Sequence, residues 1–126
     1  MKADVRRRKG EIAVVMADGL RVTVMENGLV EFRDAQGRLH REDAPARVWP
    51  DGQMEWWEHG LRHRVDGPAR ICPDGHTEWW EHGLRHRVGR PARIWSNGTR
   101  EWWENGKLVM VCLLYTSDAA DDLLCV

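Results

Sequence analysis

The sequence predicts an all-β fold, an elongated antiparallel meander of tandem 23-residue β-hairpin repeats, and three observations carry that expectation. A Trp-Trp pair between glutamates recurs as Glu55-Trp56-Trp57-Glu58, Glu78-Trp79-Trp80-Glu81 and Glu101-Trp102-Trp103-Glu104, each copy 23 residues after the last. Other residue types keep the same interval: His40, His63 and His86; Pro45, Pro68 and Pro91; Arg47, Arg70 and Arg93; Gly37, Gly60, Gly83 and Gly106. Turn-forming residues punctuate every copy at fixed places, which divides it into short strands.

The turns set the register. Pro50-Asp51-Gly52 and Pro73-Asp74-Gly75, with Ser96-Asn97-Gly98 in the third copy, suit a three-residue hairpin loop with a bulge, Gly taking the positive φ. That loop places Arg47 opposite Glu55, Arg70 opposite Glu78 and Arg93 opposite Glu101. A second turn follows each Trp pair: His59-Gly60, His82-Gly83 and Asn105-Gly106, read as two-residue type I′ turns that hold the first residue at positive φ. Trp57 then faces Arg62 and Trp80 faces Arg85, while Trp56 faces His63 and Trp79 faces His86. The Gly67-Pro68 step breaks the strand between hairpins, because Pro cannot donate to a ladder. Asp43-Ala44-Pro45 and Gly89-Arg90-Pro91 fill the same slot.

Three regions are expected. Residues 1–21 are a basic segment with a capping strand, and residues 22–111 hold about three and a half repeats. Val24 to Gly28 and Glu31 to Asp34 form a decayed copy, one residue out of register. Residues 112–126 resemble a translated sequencing adapter, most specifically from Cys112 to Asp121, and are set aside as non-native. After Lys107-Leu108 the pattern asks for His-Arg and finds Val109-Met110, so the array is expected to be cut mid-copy. An uncapped edge there predicts fraying at Trp102 to Leu108 or self-association.

Composition narrows the function classes. The chain of 126 residues has room for one small domain, and its eight tryptophans stand beside one Phe and one Tyr. Its 19 basic and 20 acidic residues become a slight positive balance once Asp118, Asp121 and Asp122 are set aside, too weak to advertise nucleic acid. Cys72 is then the one cysteine left, which gives no disulfide framework or Cys-x-x-Cys pair and suits a reducing, cytoplasmic setting. The apolar run Ile12 to Met16 behind Arg6 to Lys9 is too short for a signal peptide or membrane span.

Adjacent tryptophans point to opposite faces of a sheet. Trp57, Trp80 and Trp103 are expected with Glu55, Glu78 and Glu101 and with Arg47, Arg70, Arg93, Arg64 and Arg87, an aromatic and ion-pair ladder that is the candidate binding face. Trp56, Trp79 and Trp102 are expected with Val48, Ile71, Ile94, His63 and His86 on the more buried face. The histidine column reads as structural, stacked on Trp, rather than as metal ligands. The glutamates recur three times, whereas a catalytic carboxylate pair is unique. No catalytic residue, metal ligand or cofactor is expected.

Leu39-His40-Arg41-Glu42-Asp43-Ala44-Pro45-Ala46, His63-Arg64-Val65-Asp66-Gly67-Pro68-Ala69 and Glu101-Trp102-Trp103-Glu104-Asn105-Gly106-Lys107 resemble the MORN-repeat family in its divergent bacterial and viral forms. The resemblance spans about residues 22–108 and implies a single-layer meander of hairpins used for protein interaction or scaffolding, with lipid contact in some members. The doubled Trp and the Arg-Pro-Ala segment depart from the usual repeat. The expected function is therefore a non-catalytic protein-interaction or scaffolding module, its partner another protein. The alternative is a ligand-binding module whose Trp and Arg face takes single-stranded nucleic acid, glycan or membrane lipid head groups.

Overall fold

The computed structural model describes residues 3–116 and 121–126, and among these every regular element is a strand. Four strands open the chain: β1 (Ala3–Arg8), β2 (Glu11–Met16), β3 (Arg21–Met25) and β4 (Val30–Arg33). The first full repeat supplies β5 (Arg47–Val48), β6 (Met54–Glu55), β7 (Trp57–Glu58) and β8 (Leu61–Arg62). The second supplies β9 (Arg70–Ile71), β10 (Thr77–Glu78), β11 (Trp80–Glu81) and β12 (Leu84–Arg85). The third has β13 (Arg93–Ile94), β14 (Arg100–Glu104) and β15 (Lys107–Thr116), followed by β16 (Asp121–Cys125).

One 12-stranded antiparallel sheet runs β1-β2-β3-β4-β5-β6-β9-β10-β13-β14-β15-β16, and the hairpins β7-β8 and β11-β12 stand beside it. Each full repeat thus gives its first hairpin to the sheet and its second to a side row. The side row has its own stitching: the Arg64 amide donates to the Trp80 carbonyl at 3.0 Å and the Gly83 amide to the Arg62 carbonyl at 2.9 Å. The basic segment at residues 3–8 is an ordinary outer strand of the same sheet, paired along its length with β2.

Turn chemistry is uniform. In the Pro50-Asp51-Gly52 loop the Trp49 amide donates to the Gln53 carbonyl and the Gly52 amide to the Trp49 carbonyl, while Asp51 Oδ1 accepts from the Gln53 amide at 2.9 Å. The same three bonds close the loops at 72–76 and 95–99, with Asp74 and Asn97 in place of Asp51. His59, His82 and Asn105 sit at φ 47°, 50° and 50°, as the type I′ turns require. The glycines that follow them also lie against the preceding repeat: a Cβ on Gly83, whose φ is +80°, would meet Leu61 Cδ2 at 3.1 Å. Gly83→Ala is expected to destabilise by about 1–2 kcal/mol from backbone strain alone, read as a lower urea midpoint; an unchanged midpoint would contradict it.

The His-Arg to Gly-Pro segment is what ends each second hairpin. Where Val109-Met110 replaces it, the chain runs straight on, and β14 pairs with β15 from Glu104–Lys107 to Arg100–Cys112 across a bulge at Trp102/Trp103. The edge expected to be bare at Trp102 to Leu108 is therefore occupied by β15, which is paired in turn with β16, and Cys112 and Cys125 are joined by a disulfide. Those outer pairings draw on the residues set aside as adapter-like.

A single layer buries little apolar surface. The accessible area of 8210 Å² exceeds the roughly 6,900 Å² of a compact monomer of this mass. Among the described residues the buried hydrophobic ones are, apart from Leu29, small, namely Ala13, Ala46, Ala69, Ala92 and Cys112, and the largest fully buried side chain is a carboxylate, Glu78. Backbone pairing and the polar and aromatic ladders hold this sheet together in place of an oily core.

Candidate functional site

The cross-strand register Arg47–Glu55, Arg70–Glu78 and Arg93–Glu101 is as the turns predict. The sheet then extends it, because β4 pairs with β5, β6 with β9 and β10 with β13, setting Glu31 opposite Arg47, Glu55 opposite Arg70 and Glu78 opposite Arg93. The result is a row of alternating sign, Glu31–Arg47–Glu55–Arg70–Glu78–Arg93–Glu101, across neighbouring strands. Arg47 Nε lies 3.0 Å from Glu31 and its Nη1 3.6 Å from Glu55; Arg70 Nη1 lies 3.1 Å from Glu78; Arg93 reaches Glu78 at 3.8 Å and Glu101 at 3.9 Å. Arg47 and Arg93 each serve their own repeat and the one before it, while Arg70 pairs within its own.

A second row runs parallel. Trp57, Trp80 and Trp103 each donate Nε1–H at 2.8 Å to the glutamate two residues earlier, which fixes the indole on the carboxylate face. Arg62 lies 4.9 Å from the Trp57 ring and 5.2 Å from Trp80, and Arg85 lies 4.7 Å from Trp80 and 4.8 Å from Trp103. The order Trp57–Arg62–Trp80–Arg85–Trp103 is a continuous cation–π stack of the kind worth roughly 0.5–2 kcal/mol per contact. Arg62 Nη2 also reaches Glu55 at 3.2 Å and Arg85 Nη2 reaches Glu78 at 3.4 Å, so the two rows are cross-linked.

Glu78 is the hub. It is 1% exposed and accepts from His76 Nε2 at 2.6 Å and Trp80 Nε1 at 2.8 Å, beside Arg70, Arg85 and Arg93. Burial pushes its pKa up, but the bonds from His76 and Trp80 and the charges of Arg85 and Arg70 prevail and hold it at about 2. His76 was not legible as a site residue, since the repeat puts Gln53 and Thr99 in its place. The signal was in the register: Cys72 stands where the other copies have Trp49 and Trp95, and Trp95 Nε1 donates to Glu101 Oε2 at 2.6 Å. His76 supplies to Glu78 the donor that an indole supplies to Glu101. The Nε atoms of Arg62, Arg70, Arg85 and Arg93 are buried without a hydrogen-bond acceptor, and that of Arg47, though 3.0 Å from Glu31, is not aligned to donate to it.

Two of the expected residues lie elsewhere. Arg64 and Arg87 were assigned to the Trp57 face by alternation, but the strands end at Arg62 and Arg85 and the chain turns at the histidine. Their guanidinium groups instead cover Trp56 and Trp79 at 4.0 Å and donate from Nη1 to the Pro68 and Pro91 carbonyls at 3.1 Å. Arg41 repeats the arrangement over Phe32 at 3.8 Å, which places Phe32 as the aromatic of the decayed copy. The residues in their stead on the ladder face are Arg62 and Arg85. Burial is shared between the faces: Glu55 and Glu78 on the ladder face are buried, while opposite them Val48, Ile71 and Ile94 are half-buried and Ala46, Ala69 and Ala92, two residues earlier, are fully buried. The ladder face is closed by its own interlocking charges, whereas the other face opens between the turns.

The histidine column is a clasp between repeats rather than a stack on tryptophan. Nδ1 of His40, His63 and His86 accepts the backbone amide of His59, His82 and Asn105 at 3.0, 2.8 and 2.9 Å. His40 stacks on His59 with centroids 4.1 Å apart, and His63 lies 4.3 Å from His82. Each repeat thus relies on one imidazole lone pair to satisfy an amide in the next turn. Glu58 lies 3.5 Å from His63 Nε2 and Asp34 3.3 Å from His59 Nδ1. His63→Leu, which removes the acceptor, is expected to lose about 1–3 kcal/mol of stability. His63→Asn keeps an acceptor at the same place and should recover most of that loss in urea unfolding; equal midpoints for the two variants would count against the clasp.

Among the described residues, no group of three His, Cys, Asp or Glu side chains converges as a metal site. Fold and site define an all-β protein of tandem antiparallel hairpins laced by Arg–Glu and Arg–Trp ladders. No protein family, curated protein or solved structure matches the chain.

Proposed function

We propose that this chain is a non-catalytic, MORN-like repeat module that binds or scaffolds other proteins, working in the cytoplasm. The observation that carries the reading is the recurrence of the Arg–Glu–Trp ladder at the repeat interval. Catalysis needs one constellation unlike its surroundings, whereas Glu55, Glu78 and Glu101, Trp57, Trp80 and Trp103, and Arg47, Arg70 and Arg93 are counterparts one repeat apart. His76 differs, supplying to Glu78 the donor that an indole supplies to Glu101. A repetitive surface suits an extended partner instead, since it offers equivalent footholds in line. The alternative use of Trp57, Trp80 and Trp103 as platforms for bases or sugars is disfavoured by Arg62 and Arg85, which already stack against those rings.

Tryptophan fluorescence titrations with a single-stranded oligonucleotide, a soluble glycan and anionic vesicles should stay flat. Selection from a random linear-peptide library displayed against the full chain should yield binders. Saturable quenching by the oligonucleotide, steeply weakened by salt, or a selection that enriches nothing, would overturn the proposal.

A further inference from the structure

The face opposite the ladder carries two grooves that are copies of each other. One, of about 510 Å³, lies between the 41–43 and 64–66 turns, with Trp56, Glu58 and His63 among its lining. The other, of about 610 Å³, lies between the 64–68 and 87–88 turns, with Trp79, Glu81 and His86 in the same roles. Val65 and Val88, 79% and 77% exposed, stand on the turns beside them as apolar ridges.

The spacing of the grooves selects the ligand's backbone. Each repeat adds two strands to the sheet, so successive grooves lie about 9.4–9.8 Å apart. A polyproline II helix has three residues per turn and a rise of about 3.1 Å, which brings every third residue back to the same side after about 9.3 Å. A β-strand repeats its facing every second residue, near 6.7 Å, and falls out of step. An α-helix comes closer at its seventh residue, about 10.5 Å, but its carbonyls are already paired.

That last difference matters because the groove offers a donor. With Nδ1 of His63 and His86 accepting backbone amides, the proton of each neutral ring is on Nε2, and both histidines are among the lining of their grooves. The nearest carboxylates, Glu58 at 3.5 Å and Glu81 at 3.4 Å, are partly exposed side chains able to swing aside. Polyproline II carbonyls have no internal partner and project outward, one within reach of each imidazole. The exposed valine ridges are matched surfaces for pyrrolidine rings, beside indoles whose one face Arg64 or Arg87 covers at 4.0 Å.

Charge sets the direction. The first groove has Glu42, Asp43, Glu58 and Asp66 against Arg41 and Arg64, whereas the second balances Asp66 and Glu81 against Arg64 and Arg87. We infer that this face docks a proline-rich segment in the polyproline II conformation, with residues three apart in successive grooves and a Lys or Arg side chain in the first. The inference rests on the protein-interaction reading and names its partner's chemistry.

The test is fluorescence anisotropy of the full chain with a labelled peptide carrying Pro at every third position and Lys at one end. Saturable binding is expected, weakened about tenfold or more when Lys is changed to Glu, when the composition is kept but the spacing scrambled, or in the Val65→Asp, Val88→Asp variant. Those valines are exposed, and an unchanged urea midpoint will show that the variant folds. Equal affinity for the scrambled peptide, or for the variant protein, overturns the inference. Should proline-rich peptides fail while library-selected peptides of other character bind, the inference falls and the interaction module stands. Failure of both removes both.

Discussion

Replacing Glu78 with glutamine is expected to cost about 3 kcal/mol of folding stability, the largest effect of any single side chain in the array. The carboxylate is buried under three guanidinium groups, an imidazole and an indole, all of which present N–H to it. Glutamine keeps the shape but cancels the charge, and its NH2 turns one of the two acceptor positions into a donor facing donors. Breaking a buried ion pair costs roughly 3–5 kcal/mol, and the lower end applies because the arginines are partly exposed. The pH dependence follows from the lowered pKa. With 4.5 as the ordinary value and about 2 in the folded chain, the stabilisation is complete above 4.5 and is lost as pH falls toward 2. Urea midpoints should therefore decline across that window in the parent protein, and the gap to Glu78→Gln should close at its acid end. A gap that stays constant from pH 5 to pH 2.5 would mean that the carboxylate's charge does not matter.

The exchange of Trp for Cys72 and of Gln or Thr for His76 gives the second large effect, and it is a coupling. His76→Thr removes the 2.6 Å bond to Glu78 and leaves a buried acceptor short of a donor, about 2 kcal/mol. Cys72→Trp alone must push its indole against a site where His76 already packs near Trp95, with centroids 4.8 Å apart, so overpacking of about 1–3 kcal/mol is expected. Both changes together rebuild the pattern of the third repeat, where Trp95 serves Glu101 and Thr99 leaves room. The double variant should be more stable than the sum of the single ones by about 1–3 kcal/mol. Strict additivity in thermal or urea unfolding would show that the two positions do not substitute for one another.

Much of this was legible in the residues, for identifiable reasons. The Pro-Asp-Gly and His-Gly turns are local, fixing φ at particular positions, and the Arg–Glu and Trp–Arg pairings inside each hairpin follow by counting. The misplacement of Arg64 and Arg87 has an equally local cause. Alternation holds only while a strand continues, and nothing in a two-residue strand announces that Arg62 is its last residue. Val48, Ile71 and Ile94 are only half-buried because a single layer gives them little to pack against, and the fully buried apolar positions on their side are the small Ala46, Ala69 and Ala92. His40 and His63 find the turn of the next repeat rather than a tryptophan, because that turn presents an unpaired amide 19 residues further on.

The sequence by itself determined the 23-residue period, the turn at each end of every hairpin and the within-hairpin register, because each depends on contacts between residues close in the chain. Only the tertiary structure decided what happens between repeats: that Arg47 and Arg93 are each shared by two glutamates, that Arg62 and Arg85 fill the gaps between successive tryptophans, and that grooves open on the opposite face. Those features depend on how far apart neighbouring hairpins lie and how they are offset. Backbone pairing across β6–β9 and β10–β13 sets that spacing, and a repeat considered alone does not contain it.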